Sequence, residues 1–510
     1  MKLIDKYLNR ITTYRLVLYF LICLVAVSSF LGFLSTLPYS GTDVIFSSII
    51  AVIVCYIANF VVAKILHATT NIESVFITAL IITLIFPITF PLNFVPLVSV
   101  CIVAMISKYL LTIQKIHVFN PAAVAVFLVS YLFTDYSAIW WVGTSALFFP
   151  VLIGGYLVVR KIRKEAMVFC FLLTFVIISG TLGFAHGGSL SSIVTTWKQS
   201  FSSSAVLFFA FIMFTEPLTA PSSKKLQKVF GVLVGVLYST PLMRLSIVLT
   251  PEMALLAGNL FSYFSSPKYR LTLSLMKKIK LSSDTYLFEF EKPKNFIYIP
   301  GQYLEWTLPH AHVDSRGNRR YFSIASAPFE HLMLHVKFNI PPSSYKKALQ
   351  NLEPGDEIIA TSLSGDFIMP RNVSKPLAFI AGGVGIAPFR SMIGDIIEKK
   401  KMVNIVLVFA NKRKEDIIFQ DVLQQATQFG VKPVYILTDR EKIEPTWKGH
   451  VGHVDDKMLQ MEIPDYKNRI FYVSGPQLMV QNLEELLLRM GVKRKNLKSD
   501  FFPGYSETTT

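Results

Sequence analysis

Before Ser266 the chain consists of long apolar runs separated by short polar loops. A helix that crosses the hydrocarbon core of a bilayer needs ~20 predominantly apolar residues. Roughly ten segments qualify as candidates by that criterion. The clear ones start near Tyr14, Val44, Ser74, Phe94, Ala138, Ala166, Ala205 and Val229. Asn120–Phe133 and Met253–Phe264 are shorter; short spans can be half-helices, tolerated where they line a buried cavity. Residues 1–266 are therefore expected to form a polytopic α-helical membrane domain. The first run, Tyr14 to about Leu34, is long enough to span, so a cleaved signal peptide is not expected.

Charge placement gives an expected orientation. The formal charge of +17 could suit nucleic acid, but no aromatic-plus-basic recognition pattern accompanies it. Many of the basic residues sit in alternate loops instead: Lys2 to Arg15, Lys64, Lys115, Arg160 to Lys164, and Lys224 to Lys228. The other loops hold Asp43, Asn93, Asp135 and Glu252 and, apart from Lys198, are nearly free of Lys and Arg. By the positive-inside rule both ends of this half face the cytoplasm. Arg244 falls within a run and fits neither set. The expected location is the inner (cytoplasmic) membrane, multi-pass, with a cytoplasmic C-terminal module and no nucleic-acid partner.

The four cysteines, Cys23, Cys55, Cys101 and Cys170, are scattered through apolar runs. They read as buried apolar thiols, not as an iron–sulfur site or a disulfide framework. The histidines of this half, His67, His117 and His186, fall outside the middle of any run and read as interfacial. A haem relay needs facing imidazoles at depth, and none is expected.

Beyond residue 266 the pattern changes. Leu271 to Pro370 alternates short strands with turns, which suggests a small antiparallel barrel. From Lys375 strands alternate with helices, which suggests a parallel sheet, with Asn404–Ala410 and Pro433–Thr438 as middle strands. Three motifs stand in this part. Arg320-Tyr321-Phe322-Ser323 offers a guanidinium for a phosphate, an aromatic for an isoalloxazine face and a hydroxyl for a ring nitrogen. Gly382-Gly383-Val384-Gly385-Ile386-Ala387-Pro388 turns a buried strand into a helix, where backbone N–H groups can approach a pyrophosphate. Phe471 to Ser474 is another strand, opening onto Gly475-Pro476.

In this order, the motifs resemble the ferredoxin–NADP reductase superfamily over residues 268–510. The resemblance implies FAD held by Arg320, Tyr321, Phe322 and Ser323. It implies NAD(P)H seated by Gly382, Gly383, Gly385, Pro388, Gly475 and Pro476. Ser474 stands where the family usually has a cysteine near the nicotinamide, so Ser323 and Ser474 are the implied catalytic side chains. Ser343 and Ser344 stand at the family's second phosphate-contacting turn. Thr438 and Arg440 follow a strand end where an adenosine ribose or 2′-phosphate could sit, and Phe501 and Phe502 follow Asp500 where the family often places an aromatic over the flavin.

Residues from about 40 to 250 resemble another family, carried by Phe119-Asn120-Pro121-Ala122 and Thr215-Glu216-Pro217-Leu218-Thr219-Ala220-Pro221. This family unites the B subunit of the sodium-translocating NADH:quinone reductase with the D subunit of the Rnf-type electron-transport complex. Its members carry flavins inside the membrane, one usually on a Ser-Gly-Ala-Thr threonine. That motif is absent from this sequence, which leaves a non-covalent FMN or riboflavin as the flavin this half could hold, near Asn120 and Glu216. No metal ligands are expected.

The expected architecture is a membrane domain of about ten spans (1–266), an FAD-binding barrel (267–371) and an NAD(P)-binding α/β domain (372–510). The expected activity passes electrons from NAD(P)H through FAD to a membrane flavin or quinone, alone or with other electron-transport subunits. A haem-bearing ferric reductase or NADPH oxidase type, and a transporter with a regulatory nucleotide module, are the alternatives.

Overall fold

The computed structural model describes the chain apart from residues 1–7, 9–10, 67, 69, 87–93, 114–115, 134–136, 204, 240–248, 267, 315–316, 339–340, 371–374, 440–442 and 502–510. His67, Arg244, Arg440 and Phe502 lie outside the described residues. The chain divides into two compact units, Met1–Lys268 and Tyr269–Thr510.

The first unit is helical: α1 Thr13–Phe33, α2 Gly41–Ile65, α3 Ile72–Ile85, α4 Val95–Leu110, α5 Pro121–Leu132, α6 Phe148–Ile162, α7 Glu165–Ala185, α8 Leu190–Ser203, α9 Lys224–Ser239 and α10 Pro251–Ser265. Among the described residues 4 helices are long and apolar enough to cross a membrane: Thr13–Phe33, Gly41–Ile65, Ser145–Ile162 and Glu165–Ala185. The expected ten spans are thus corrected. The reason is local chemistry that an average over a window does not see. Asn71 caps α3, Pro96 starts α4 and Pro121 starts α5, so these apolar helices run only 14, 16 and 12 residues. At 1.5 Å per residue such helices reach about 18–24 Å, short of the ~30 Å hydrocarbon core. The run near Ala205 gives one helical turn and then a π-helical turn, Phe209–Met213, ending before Glu216-Pro217. The stretch around Lys198, expected as an outer loop, is the largely exposed helix α8.

Large apolar side chains such as Phe30, Phe60, Phe149 and Phe169 are exposed on this unit, as a lipid-facing surface requires. Inside, small residues let helices approach: a Cβ on Gly231 of α9 would lie 2.6 Å from the Met167 carbonyl of α7. All four cysteines are free; Cys55 and Cys101 are buried, Cys170 is partly buried and Cys23 is exposed.

The second unit contains two six-stranded sheets. One is antiparallel, with strands β1 Arg270–Lys280, β2 Thr285–Phe290, β3 Tyr303–Thr307, β4 Arg319–Ser323, β5 Leu332–Lys337 and β6 Glu357–Ser364 in the order β4-β3-β6-β1-β2-β5. Alternate residues Leu273, Leu275, Phe288, Phe290, Leu304 and Trp306 fill its interior. Just past β4, the Ala325 N–H donates to the Met333 carbonyl of β5 at 3.0 Å, tying the two edges together. α11, Ser344–Gln350, plugs it with Tyr345 and Leu349.

The other sheet is parallel, with β7 Leu377–Gly382, β8 Ile405–Asn411, β9 Val431–Leu437, β10 His450–Val451, β11 Ile470–Ser474 and β12 Leu497–Asp500 in the order β10-β9-β8-β7-β11-β12. Every residue of β7 and β8 is buried, the mark of strands covered on both faces. α12 Ala387–Glu398 and α13 Gln420–Ala426 pack one face, and α14 Asp456–Glu462 and α15 Gln477–Arg489 the other. Chain order reverses between β7 and β11, and crevices at such switch points bind ligands at the strand C-termini.

Candidate functional site

β4 is an edge strand paired to β3, with Ser323 opposite Tyr303 and Arg320 opposite Trp306. Alternation puts Arg320 and Phe322 on one face. Both lean on buried Tyr345: the Arg320 guanidinium lies 5.0 Å over its ring, and the Phe322 ring is centred 6.2 Å away. The guanidinium also donates to the Gly317 carbonyl at 3.0 Å and stands 3.7 Å from Asp314. Tyr321, on the opposite face, is exposed and meets Tyr303 edge-on.

Ser343 and Ser344, expected at a phosphate turn, are engaged locally. The Ser343 hydroxyl caps α11 by accepting the Lys346 N–H. The Ser344 hydroxyl accepts the Asp314 N–H at 3.0 Å and lies 3.0 Å from His310 Nε2.

The glycine loop follows β7 as a 3-10 turn, Gly383–Ile386, and opens α12 with Pro388 in its first turn. Gly383 has φ +52°, a left-handed backbone that disfavours other residues. A Cβ on Gly385 would lie 2.3 Å from the Ser474 carbonyl, so only glycine lets this loop close on Ser474-Gly475. Gly382, Gly383, Gly385, Ser474, Gly475 and Pro476 are thereby gathered at the switch point, with Ser474 of β11 opposite Ala381 of β7.

Contacts between barrel and parallel sheet bring the first motif to this crevice. Arg390 of α12 forms an ion pair with Glu330, and the Ser391 hydroxyl donates to the Ser326 carbonyl just past β4. The Ser323 hydroxyl donates to Asp500 Oδ2 at 3.4 Å. Asp500 is the register partner of Ser474, so one carboxylate neighbours both expected catalytic serines. Sequence reasoning passed over Asp500; its one signal is an acid closing a strand before Phe501.

His335 of β5 is buried among these contacts, its ring centred 5.6 Å from that of Phe419, edge-on. Neither ring nitrogen has a hydrogen-bond partner among the described residues. Burial pushes its pKa down to about 3, with the Lys337 charge adding to the shift.

In the helical unit the other two motifs also meet. Asn120 caps α5, its side-chain carbonyl accepting the Ala123 N–H at 3.0 Å. Its amide donates to Glu216 Oε2 at 2.9 Å, the Thr219 hydroxyl donates to the same oxygen at 3.1 Å, and His117 Nε2 lies 3.1 Å from Oε1. Asn259 of α10 accepts the Asn120 N–H at 2.9 Å, and the Lys164 ammonium donates to the Thr215 carbonyl at 3.1 Å. His117 is therefore a buried partner of Glu216, between the end of α4 and the start of α5. Glu252 stands in the first turn of α10, where it is buried and accepts the Trp140 indole N–H at 2.7 Å. His117 and Asn259 carried no sequence signal beyond their residue types.

The comparisons agree with this division. Residues 132–260 match the NQR2, RnfD, RnfE family. Residues 379–485 match the Oxidoreductase NAD-binding domain. The two halves resemble two families. The C-terminal half resembles NAD-binding oxidoreductases, and the N-terminal half resembles the NQR2, RnfD, RnfE family. The chain is 26% identical over 200 residues to the F subunit of the Na(+)-translocating NADH-quinone reductase of Neisseria gonorrhoeae, covering 36% of this chain and 49% of that protein. It is 25% identical over 225 residues to the glycine betaine monooxygenase reductase subunit of Chromohalobacter salexigens, covering 43% of this chain and 60% of that protein. The chain thus spans less than two thirds of either relative. Among solved structures it is similar to the flavohem-like FAD/NAD binding domain of nitric oxide dioxygenase from Vibrio cholerae, at 21% identity and a TM-score of 0.40 over 45% of this chain and 97% of that one.

Proposed function

We propose that this chain is a membrane-bound NAD(P)H-dependent flavoprotein oxidoreductase that delivers electrons to a flavin or quinone in its membrane half. The observation that carries it is the meeting of Arg320–Ser323, the Gly383–Pro388 turn and Ser474-Gly475 at one switch point.

The residues fit FAD and a nicotinamide nucleotide. The loop that a Cβ on Gly385 would block leaves a backbone cradle at the start of α12, suited to a pyrophosphate. Arg320 would hold an FAD phosphate, and Phe322 would pack on the isoalloxazine. Bound FAD supplies two-electron uptake from a nicotinamide and one-electron release. Ser323 would present its hydroxyl to a ring nitrogen, with Asp500 fixing its rotamer. Ser474 would border the nicotinamide, as the cysteine does in the resembled family. Tyr298 donates to the Ser326 carbonyl at 3.0 Å from inside the fold, holding the segment after the motif still.

In the membrane half, Asn120 and Glu216 would border the acceptor, an FMN, riboflavin or quinone. Their mutual hydrogen bond and the caps around it give a rigid polar wall between short helices. The loop charges support a cytoplasmic position for both ends of this half and for the reductase module. Other electron-transport subunits are expected as partners.

The test is the purified full chain in lipid. It should reduce ferricyanide with NADH or NADPH, and reduce a lipid quinone more slowly. Failure to reduce either acceptor with either nucleotide would overturn the reading.

A further inference from the structure

A small cavity opens beside the Glu216 cluster, with Ile113, His117, Thr219, Asn259, Ser262 and Lys268 in its lining. Its enclosed space is about 10 Å³, room for about one water, and reaches about 240 Å³ only with the open solvent at its mouth. Two side chains of α10 that line it, Asn259 and Ser262, are 1% and 0% exposed. The Asn259 amide nitrogen and the Ser262 hydroxyl have no hydrogen-bond partner among the described residues. A buried polar group without a partner is costly, so two of them lining one cavity point to a ligand.

The chemistry of the lining selects that ligand. His117 and Thr219 are already engaged with Glu216. What remains is the Asn259 amide, the Ser262 hydroxyl and the Lys268 ammonium, which donates to the Ala220 carbonyl. Two unengaged donors beside a cation call for an anionic oxygen acceptor. The rim is apolar, and Ile113 in it is exposed, as are Leu110 and Leu111 just before it in the chain. Basic pockets among membrane helices suit anionic head groups. We propose that this cavity binds the phosphate of an anionic membrane lipid, with its acyl chains along Leu110, Leu111 and Ile113. The site does not depend on which acceptor the electrons reach.

The test uses the full-length protein, delipidated in detergent and titrated with phosphatidylglycerol, phosphatidylcholine or inorganic phosphate, with retention read by native mass spectrometry. Three variants are compared with the wild type. Ser262→Ala removes a donor, and Lys268→Met removes the charge. Asn259→Asp keeps the oxygen that accepts the Asn120 N–H and replaces the unpartnered donor with an acceptor. Each should weaken phosphatidylglycerol retention about tenfold or more, while NAD(P)H-dependent ferricyanide reduction, which reports the reductase half, stays unchanged. Equal retention of phosphatidylcholine, unchanged retention in all three variants, or binding of inorganic phosphate without preference for the lipid would each overturn the proposal.

Discussion

The Ser323 hydroxyl donates to the Asp500 carboxylate at 3.4 Å, joining two residues 177 positions apart in the chain. That contact ties the last residue of β4 to the last residue of β12, beside Ser474. It makes the acid a positioning residue for the hydroxyl expected to meet the flavin. Asp500→Asn should therefore lower kcat for NAD(P)H oxidation by about tenfold, the scale of one hydrogen bond to a charged group. FAD affinity should stay unchanged, and Asp500→Glu should recover part of the loss. Weakened FAD binding in step with kcat would show a merely structural role. Stopped-flow reduction and flavin titration on the same preparations measure both.

Gly385→Ala tests the close approach of the two loops. Its added Cβ would sit 2.3 Å from the Ser474 carbonyl, a backbone atom that cannot swing aside. Overpacking of this kind costs about 1–3 kcal/mol. The variant should melt lower, and its KM for the nicotinamide nucleotide should rise more than its affinity for FAD falls. Unchanged nucleotide kinetics would place the nicotinamide site elsewhere.

His335 makes the stability of the second unit depend on acid. Its folded pKa of about 3 lies below the ordinary 6.5. Between those values the unfolded chain binds a proton that the folded chain refuses, so stability falls as pH drops from about 6.5 toward 3. Above that window the group contributes no slope. His335→Leu should flatten this part of the profile in urea melts of the isolated unit, which has hydrophobic cores of its own. An identical acid slope in the variant would show that His335 is solvated in the folded state.

Glu216→Ala would strip His117, Asn120 and Thr219 of a shared acceptor. Leaving buried donors unsatisfied costs about 1–3 kcal/mol for each group. The full chain should lose thermal stability and quinone reduction, while ferricyanide reduction by the reductase half persists. Equal loss of both activities would mean that the helical unit is required for the reductase to fold.

The elements of the reductase half were legible because their signals are local. Strand alternation, glycine turns and a buried strand running into Gly382 lie within a few residues of each other, and β2, β8, β9 and β11 fall where the pattern puts them. The helical half was less legible. Hydropathy averaged along a run hides Pro96, Pro121 and the π-helical turn before Glu216, each of which shortens a helix. The polar contacts were not legible at all, since Glu216 finds His117 across 99 residues and Asn120 finds Asn259 across 139. Such pairs are set by how helices pack, which residue order alone does not express.

In the proposed function, electrons leave FAD for a flavin or quinone with no haem between them. His186 is exposed and His117 is committed to Glu216, so neither is poised as an axial ligand in the described fold. The direct measurement is acid-extractable flavin and pyridine haemochrome on one sample of the purified full chain. FAD at one per chain, with or without a further FMN or riboflavin, and no haem is the predicted result. Stoichiometric haem, or a chain with no flavin that fails to take up added FAD, would contradict it.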